Sequence, residues 1–249
     1  YDLFERQSNL DGDINRVTSR GASTTEFLDG NFSNKQLHDV VYVTANPQYH
    51  RHRETINCEL HDVINVWLED GWNEEYGTVL PETVEKFATK AAEEYDDKRL
   101  VVHYMQPHYP FLNSETSFDK GQLEDPEDDA GFWRQIMEGK LSVDTNQLWE
   151  LYEQNLDMVL VSVERLLDTL SGKTVVTSDH GNMLGERASP IPIREWGHPR
   201  GIHTPELVDV PWLVRDGKRR NIVSEPTKIR TEKETDEAVE QRLRDLGYT

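Results

Sequence analysis

With 249 residues and a single cysteine, Cys58, the chain is long enough for one α/β domain with a sizeable core and cannot close an intrachain disulfide. Asp and Glu outnumber Lys and Arg by 47 to 27, and the formal charge of −20 argues against nucleic acid or an anionic membrane as partner. No apolar run reaches membrane-spanning length or forms a signal-type segment, so an acidic, salt-adapted protein of a high-salt cytoplasm is expected.

The chain opens on Tyr1-Asp2-Leu3-Phe4. A doubly wound sheet ordinarily starts on a strand, so a further strand is expected upstream. Residues 5–20 read as a polar loop with a short helix. Ser19-Arg20-Gly21-Ala22-Ser23-Thr24-Thr25-Glu26-Phe27-Leu28 follows, three hydroxyls and an acid leading into an apolar pair. This is the signature of a helix start capped by Ser or Thr. The same geometry also binds a phosphate or sulfate, because the first N–H groups of a helix and its positive dipole end face the anion.

A strand is predicted at Asp39-Val40-Val41-Tyr42-Val43-Thr44, closed by Ala45-Asn46-Pro47. Asn46 either ends the turn or lines a site at the strand's carboxyl end. His50-Arg51-His52-Arg53 is basic in an acidic chain and reads as a solvated loop, with contact to an anionic substrate as the alternative. Residues 81–96 form an amphipathic helix with Pro81 in its first turn. The next strand, Arg99 to Met105, runs into Gln106-Pro107-His108-Tyr109-Pro110-Phe111. His103 lies within the strand and is expected to be a hydrogen-bonded core residue; His108 follows it, where ligands collect.

Residues 113–130, rich in Asp, Glu and Gly, lack fixed ligand spacing and read as part of a solvated insertion or lid extending to 145. From Leu148 to Leu170 apolar residues recur at helical spacing. Thr174-Val175-Val176-Thr177 is then read as a strand of a parallel sheet, ending in Ser178-Asp179-His180-Gly181. Asp179 offers a hard oxygen and His180 an imidazole nitrogen, a donor pair suited to Zn²⁺ or Mn²⁺, and Gly181 is expected to let the backbone turn away. Residues 188–192 form a Pro-rich loop, His198 and His203 lie on loops, Asp209 to Val214 forms a last core strand, and Thr235 to Tyr248 is a charged helix.

Taken together, SDHGNMLGE, GHP and HTPELVDVPWLV, in that order within residues 99–215, resemble the C-terminal half of the sulfatase-like branch of the alkaline phosphatase superfamily. The resemblance implies a three-layer α/β sandwich with a mostly parallel central sheet over residues 1–225, and a C-terminal helix over 226–249. It also implies a metal-dependent hydrolase of phosphate or sulfate esters, and the haloarchaeal type of such enzymes fits a halophilic archaeal cytoplasm. Sulfatases proper carry a CxPxR segment that is absent here; phosphodiesterase-like and lipoteichoic-acid-synthase-like relatives use an unmodified Thr or Ser at a helix start. By that likeness Thr24 is the nucleophile, with Ser23 and Thr25 as alternatives or substrate contacts.

Asp179 and His180 are the implied metal ligands, for Zn, Mn, Ca or Mg. One ion is expected, since Asp157 is the sole central acid of the long helix and no His accompanies it. PHYPF resembles the HxPY-type segment whose His binds the anionic group or protonates the leaving oxygen, which assigns His108. His198 and His203 are the further implied substrate contacts. Relatives place one more metal-binding Asp at the end of the first strand, ahead of the nucleophile, and Asp2 falls past that point. The implied substrate is a small anionic ester or a glycan- or lipid-linked one. A phosphoglycerol-type transferase and a non-catalytic binding relative are the other classes this pattern allows.

Overall fold

The computed structural model describes residues 1–68, 70–112, 131–226 and 236–246, with the side chains of 236–239 left aside. The acidic stretch 113–130 lies outside the described residues. The chain is a mixed α/β protein. In order, the described elements are α1 (Asp2–Gln7), β1 (Asp13–Thr18), α2 (Thr24–Phe32), β2 (Gln36–Thr44), α3 (Gln48–Ile56), β3 (Glu59–Asn65), β4 (Trp72–Asn73), β5 (Thr78–Val79), α4 (Pro81–Glu94) and β6 (Arg99–His103). They continue with α5 (Phe132–Met137), α6 (Thr145–Thr169), β7 (Thr174–Thr177), β8 (Met183–Arg187), β9 (Arg194–Gly197), α7 (Pro205–Val208), β10 (Asp209–Arg215) and α8 (Asp236–Asp245).

Strand β2 is central to a parallel sheet in the order β3-β2-β6. Its side chains alternate, as a strand's period of two requires. Val40 and Tyr42 pack with Leu28, Phe32, Tyr49 and Ile56 from α2 and α3, whereas Val41 and Val43 face Val84, Ala88 and Ala91 of α4. Helices therefore cover both faces of this sheet. The C-terminal helix closes the α4 side, where Leu243 and Leu246 are fully buried in the cluster that contains Trp67.

A second three-stranded sheet has the order β1-β10-β7, and both of its pairings are antiparallel. Two expectations change here. Residues 13–18 form a strand instead of a loop, its polar side chains exposed as on a solvent-facing edge. Strand β7 pairs with β10 in antiparallel register, Val176 opposite Leu213, and belongs to no parallel sheet among the described residues. Among the described strands parallel pairing is thus confined to β3-β2-β6, with one isolated parallel bridge between Gly172 and Lys218, and these strands do not form one continuous central sheet.

The His50-Arg51-His52-Arg53 stretch is also a correction, because it is helical within α3. The Asn46 Oδ1 accepts the Gln48 N–H at 2.9 Å at its start, and Asn57 ends it in left-handed backbone at φ 47°. Helix α6 begins on a capping bond, with the Asp144 side chain accepting from the N–H groups of Asn146 and Gln147. Beyond the acidic stretch, Phe132 and Ile136 of α5 are buried against Leu148 and Leu151 of α6. No helix among the described residues is long and apolar enough to cross a membrane.

Truncating Leu243 to Ala removes a fully buried side chain from the α4-side core and is expected to cost about 2–5 kcal/mol. Urea titration followed by Trp fluorescence measures it; an unchanged midpoint would mean that α8 does not dock on Trp67.

Candidate active site

The carboxyl end of β7 delivers Asp179, and three other elements supply what surrounds it. The Thr24 hydroxyl, in the first turn of α2, donates to Asp179 Oδ2 at 2.7 Å. His180 Nε2 is 3.3 Å from the same oxygen and 3.2 Å from Thr24 Oγ1. His103 Nε2, at the end of β6, stands 3.6 Å away from it. Asn46 follows β2 and directs Nδ2 toward Thr24 Oγ1 at 3.4 Å. The backbone beneath is pinned as well: the Ser19 hydroxyl donates to the Asp179 carbonyl, and the Gly181 N–H donates to Leu207 O at 2.7 Å. Gly181 is required by close approach rather than by a turn, since a Cβ there would lie 2.0 Å from Glu206 O.

Of the three hydroxyls at this helix start, Thr24 alone faces the acid and the imidazole. Ser23 holds the N-cap position without a side-chain capping bond, its Oγ lying 3.2 Å from Thr25 Oγ1. The expected Ser or Thr capping bond is absent, and Glu26 Oε2 instead accepts the Ala22 N–H at 2.9 Å, one residue ahead of the N-cap.

His108 and His198 form a second pair beside the first, their Nε2 atoms 2.9 Å apart and the His198 ring 4.5 Å from that of His180. Their tautomers follow from their partners. His108 Nδ1 meets the Tyr109 carbonyl and His180 Nδ1 meets the Gly181 carbonyl at 2.6 Å; a carbonyl only accepts, so both Nδ1 atoms carry hydrogen. In its neutral form each ring then presents an Nε2 lone pair to the site. His198 Nε2–H accordingly donates to His108 Nε2. The loop holding His108 is fixed from α6 by Asn155, whose Nδ2 donates to Pro110 O at 3.0 Å and to His108 O at 3.2 Å while Oδ1 accepts from Leu112 N.

Burial sets the protonation of these groups. It pushes His108 down to about 4, only partly offset by the Tyr109 carbonyl, and it holds His198 well below the usual imidazole range with the help of His180 and His108. For Asp179 burial works against ionisation, yet His180, His103 and the Thr24 hydroxyl outweigh it and keep the carboxyl far below its ordinary value. The site thus sets an ionised carboxylate beside two imidazoles, His108 and His198, that burial keeps neutral.

His203 stands apart, more than half exposed, with Nε2 3.2 Å from Glu26 Oε2. His103 makes the expected hydrogen bond, its Nδ1 2.6 Å from the Tyr42 hydroxyl, and in addition its Nε2 faces Asp179. Its register opposite Thr44, just before Asn46, was the available signal. Asn46 both closes its turn and reaches Thr24.

Among the described residues no three His, Cys, Asp or Glu side chains are gathered into a metal-holding group. The donor chemistry of Asp179 and His180 nonetheless suits a divalent ion, an ionised carboxylate beside an imidazole whose Nδ1–H is tied to a carbonyl. No protein-family model matches the chain, and no curated protein matches it.

The buried histidines make stability fall in acid. Above about pH 6.5 His108 is neutral both folded and unfolded; between 6.5 and 4 the unfolded chain binds a proton that the native site refuses. The melting temperature should therefore drop across that window, and His108→Gln should flatten part of the slope. Parallel pH profiles for the two proteins would show that His108 takes no part.

Proposed function

We propose that the chain is a hydrolase of phosphate or sulfate esters, built as an alkaline-phosphatase-like α/β sandwich, with Thr24 as nucleophile. One observation carries this reading: a buried hydroxyl at a helix N-terminus lies within 2.7 Å of an ionised carboxylate and 3.2 Å of an imidazole. The sequence resemblance puts the nucleophile at the same helix start.

Asp179 and His180 would hold a divalent cation, which when bound supplies Lewis acidity that favours the Thr24 alkoxide. The chain's own groups do the rest. The first N–H groups of α2 face the ester's anionic oxygens, as helix starts do. Thr24 Oγ1 forms the new bond to phosphorus or sulfur as the bond to the ester's alcohol oxygen breaks, the hydroxyl proton passes to water, and the departing oxygen takes a proton from water oriented by His198 and His108. Water then releases the covalent ester and restores the hydroxyl. The 3.2 Å approach of His180 Nε2 to Thr24 Oγ1 supports a second version, in which His180 takes the hydroxyl proton as general base.

Elemental analysis of the purified chain, with aryl phosphate, phosphodiester and sulfate turnover, separates these versions. Near-stoichiometric metal that disappears in Asp179→Ala supports the cation; turnover without metal supports the base. Thr24→Ala is expected to lower kcat by at least about 100-fold in either case. Full activity in Thr24→Ala would remove the nucleophile assignment, and no turnover of any ester by the wild type would end the hydrolase reading.

A further inference from the structure

We propose that Glu26 is a positioning residue that locks the helix carrying Thr24 to the loop carrying His198; the role rests on the hydrolase reading of that site. Its two oxygens serve different elements. Oε2 accepts the Ala22 N–H at 2.9 Å, just ahead of α2, and Oε1 accepts the Gly201 N–H at 2.8 Å, in the loop that leaves β9. His203 adds a contact from the same loop, its Nε2 3.2 Å from Oε2. Segments some 175 residues apart in sequence thus meet on one carboxylate.

The side chain is largely shielded, at 19% exposure; its bond to the Ala22 N–H is part-buried, and those to Gly201 and His203 lie at the exposed rim. Burial alone would raise the Glu26 pKa, but the Ala22 and Gly201 N–H groups and His203 hold it below its ordinary value. Gly201 has φ +78°, follows His198 by three residues and precedes His203 by two. Its amide is therefore the tether nearest to His198 that reaches across to α2. When the tether is cut, His198 loses one of the restraints on its Nε2, which lies 2.9 Å from that of His108, while Thr24 keeps its own bond to Asp179. The group whose placement suffers is the imidazole pair, and the nucleophile stays where it is.

A carboxylate is needed because both backbone N–H groups require an acceptor, and an amide has only one. Glu26→Gln keeps the shape and loses one of the two bonds. Hydrogen–deuterium exchange of residues 197–204, compared with residues 36–44 of β2, reads the tether whether or not ester is turned over. Steady-state kinetics with the ester that the wild type accepts reads its consequence.

Faster exchange confined to 197–204, with kcat down about tenfold and KM within about twofold, is the expected result. Unchanged exchange in 197–204, or unchanged kcat, in Glu26→Gln would overturn the role. If that variant does not fold, Glu26→Asp, which is too short to hold both amides, is read in the same way. A wild type that turns over no ester overturns the hydrolase reading and this role with it. Wild-type turnover with an indifferent Glu26→Gln overturns this role alone.

Discussion

A carboxylate withdrawn from water must be surrounded by donors, and the geometry around Asp179 follows from that requirement. A buried, uncompensated charge costs several kcal/mol, so Asp179 is tenable only if other elements bring partners to it. The Thr24 hydroxyl, the His180 backbone N–H and the His103 ring answer that need, and they come from α2, the turn after β7 and the end of β6. The antiparallel sheet carries the charge, while the parallel sheet and its helices carry much of what neutralises it. Seen this way, the meeting of two separate sheets is an electrostatic necessity as much as a packing outcome.

The same withdrawal from water divides the molecule into two electrostatic regimes. Outside, the formal charge of −20 is spread over a surface where ions screen it. Inside the site, His108 and His198 are kept neutral by burial and their hydrogens are assigned by fixed acceptors. Excess surface acid would draw protons toward exposed imidazoles; these are insulated from it. The His108 lone pair that receives the His198 hydrogen is set by a backbone carbonyl, which does not titrate.

Much of this was legible in the chain, for identifiable reasons. The helices α4 and α6 announce themselves by apolar spacing, α4 also by Pro81 in its first turn, and Asp179-His180-Gly181 at a strand's end marked the centre of the candidate site. What escaped was non-local. Strand β1 is too polar to show a strand's alternation, because only its pairing with β10 orders it. A Thr-Val-Val-Thr run reads the same in parallel and antiparallel pairing, so the direction of β7 could not be foreseen. The basic run in α3 hides its helix because the buried positions Tyr49, His50 and Ile56 give it only a thin apolar face. Similarly, Glu26 resembled one acid of a helix start, and Gly201, its partner across the fold, lies far along the sequence.

Helix α6 is 25 residues long and touches three of the hydrophobic clusters in turn. Leu148 and Leu151 join the aromatic group around Phe132, Leu156 to Leu160 join the cluster under the antiparallel sheet, and Leu166 joins the one beneath the parallel sheet. A rigid rod shared by three cores links their fates, since loosening one strips side chains from the same helix that supports the other two. The described body should therefore behave as one cooperative unit, melting in a single transition seen alike by its tryptophans and its backbone.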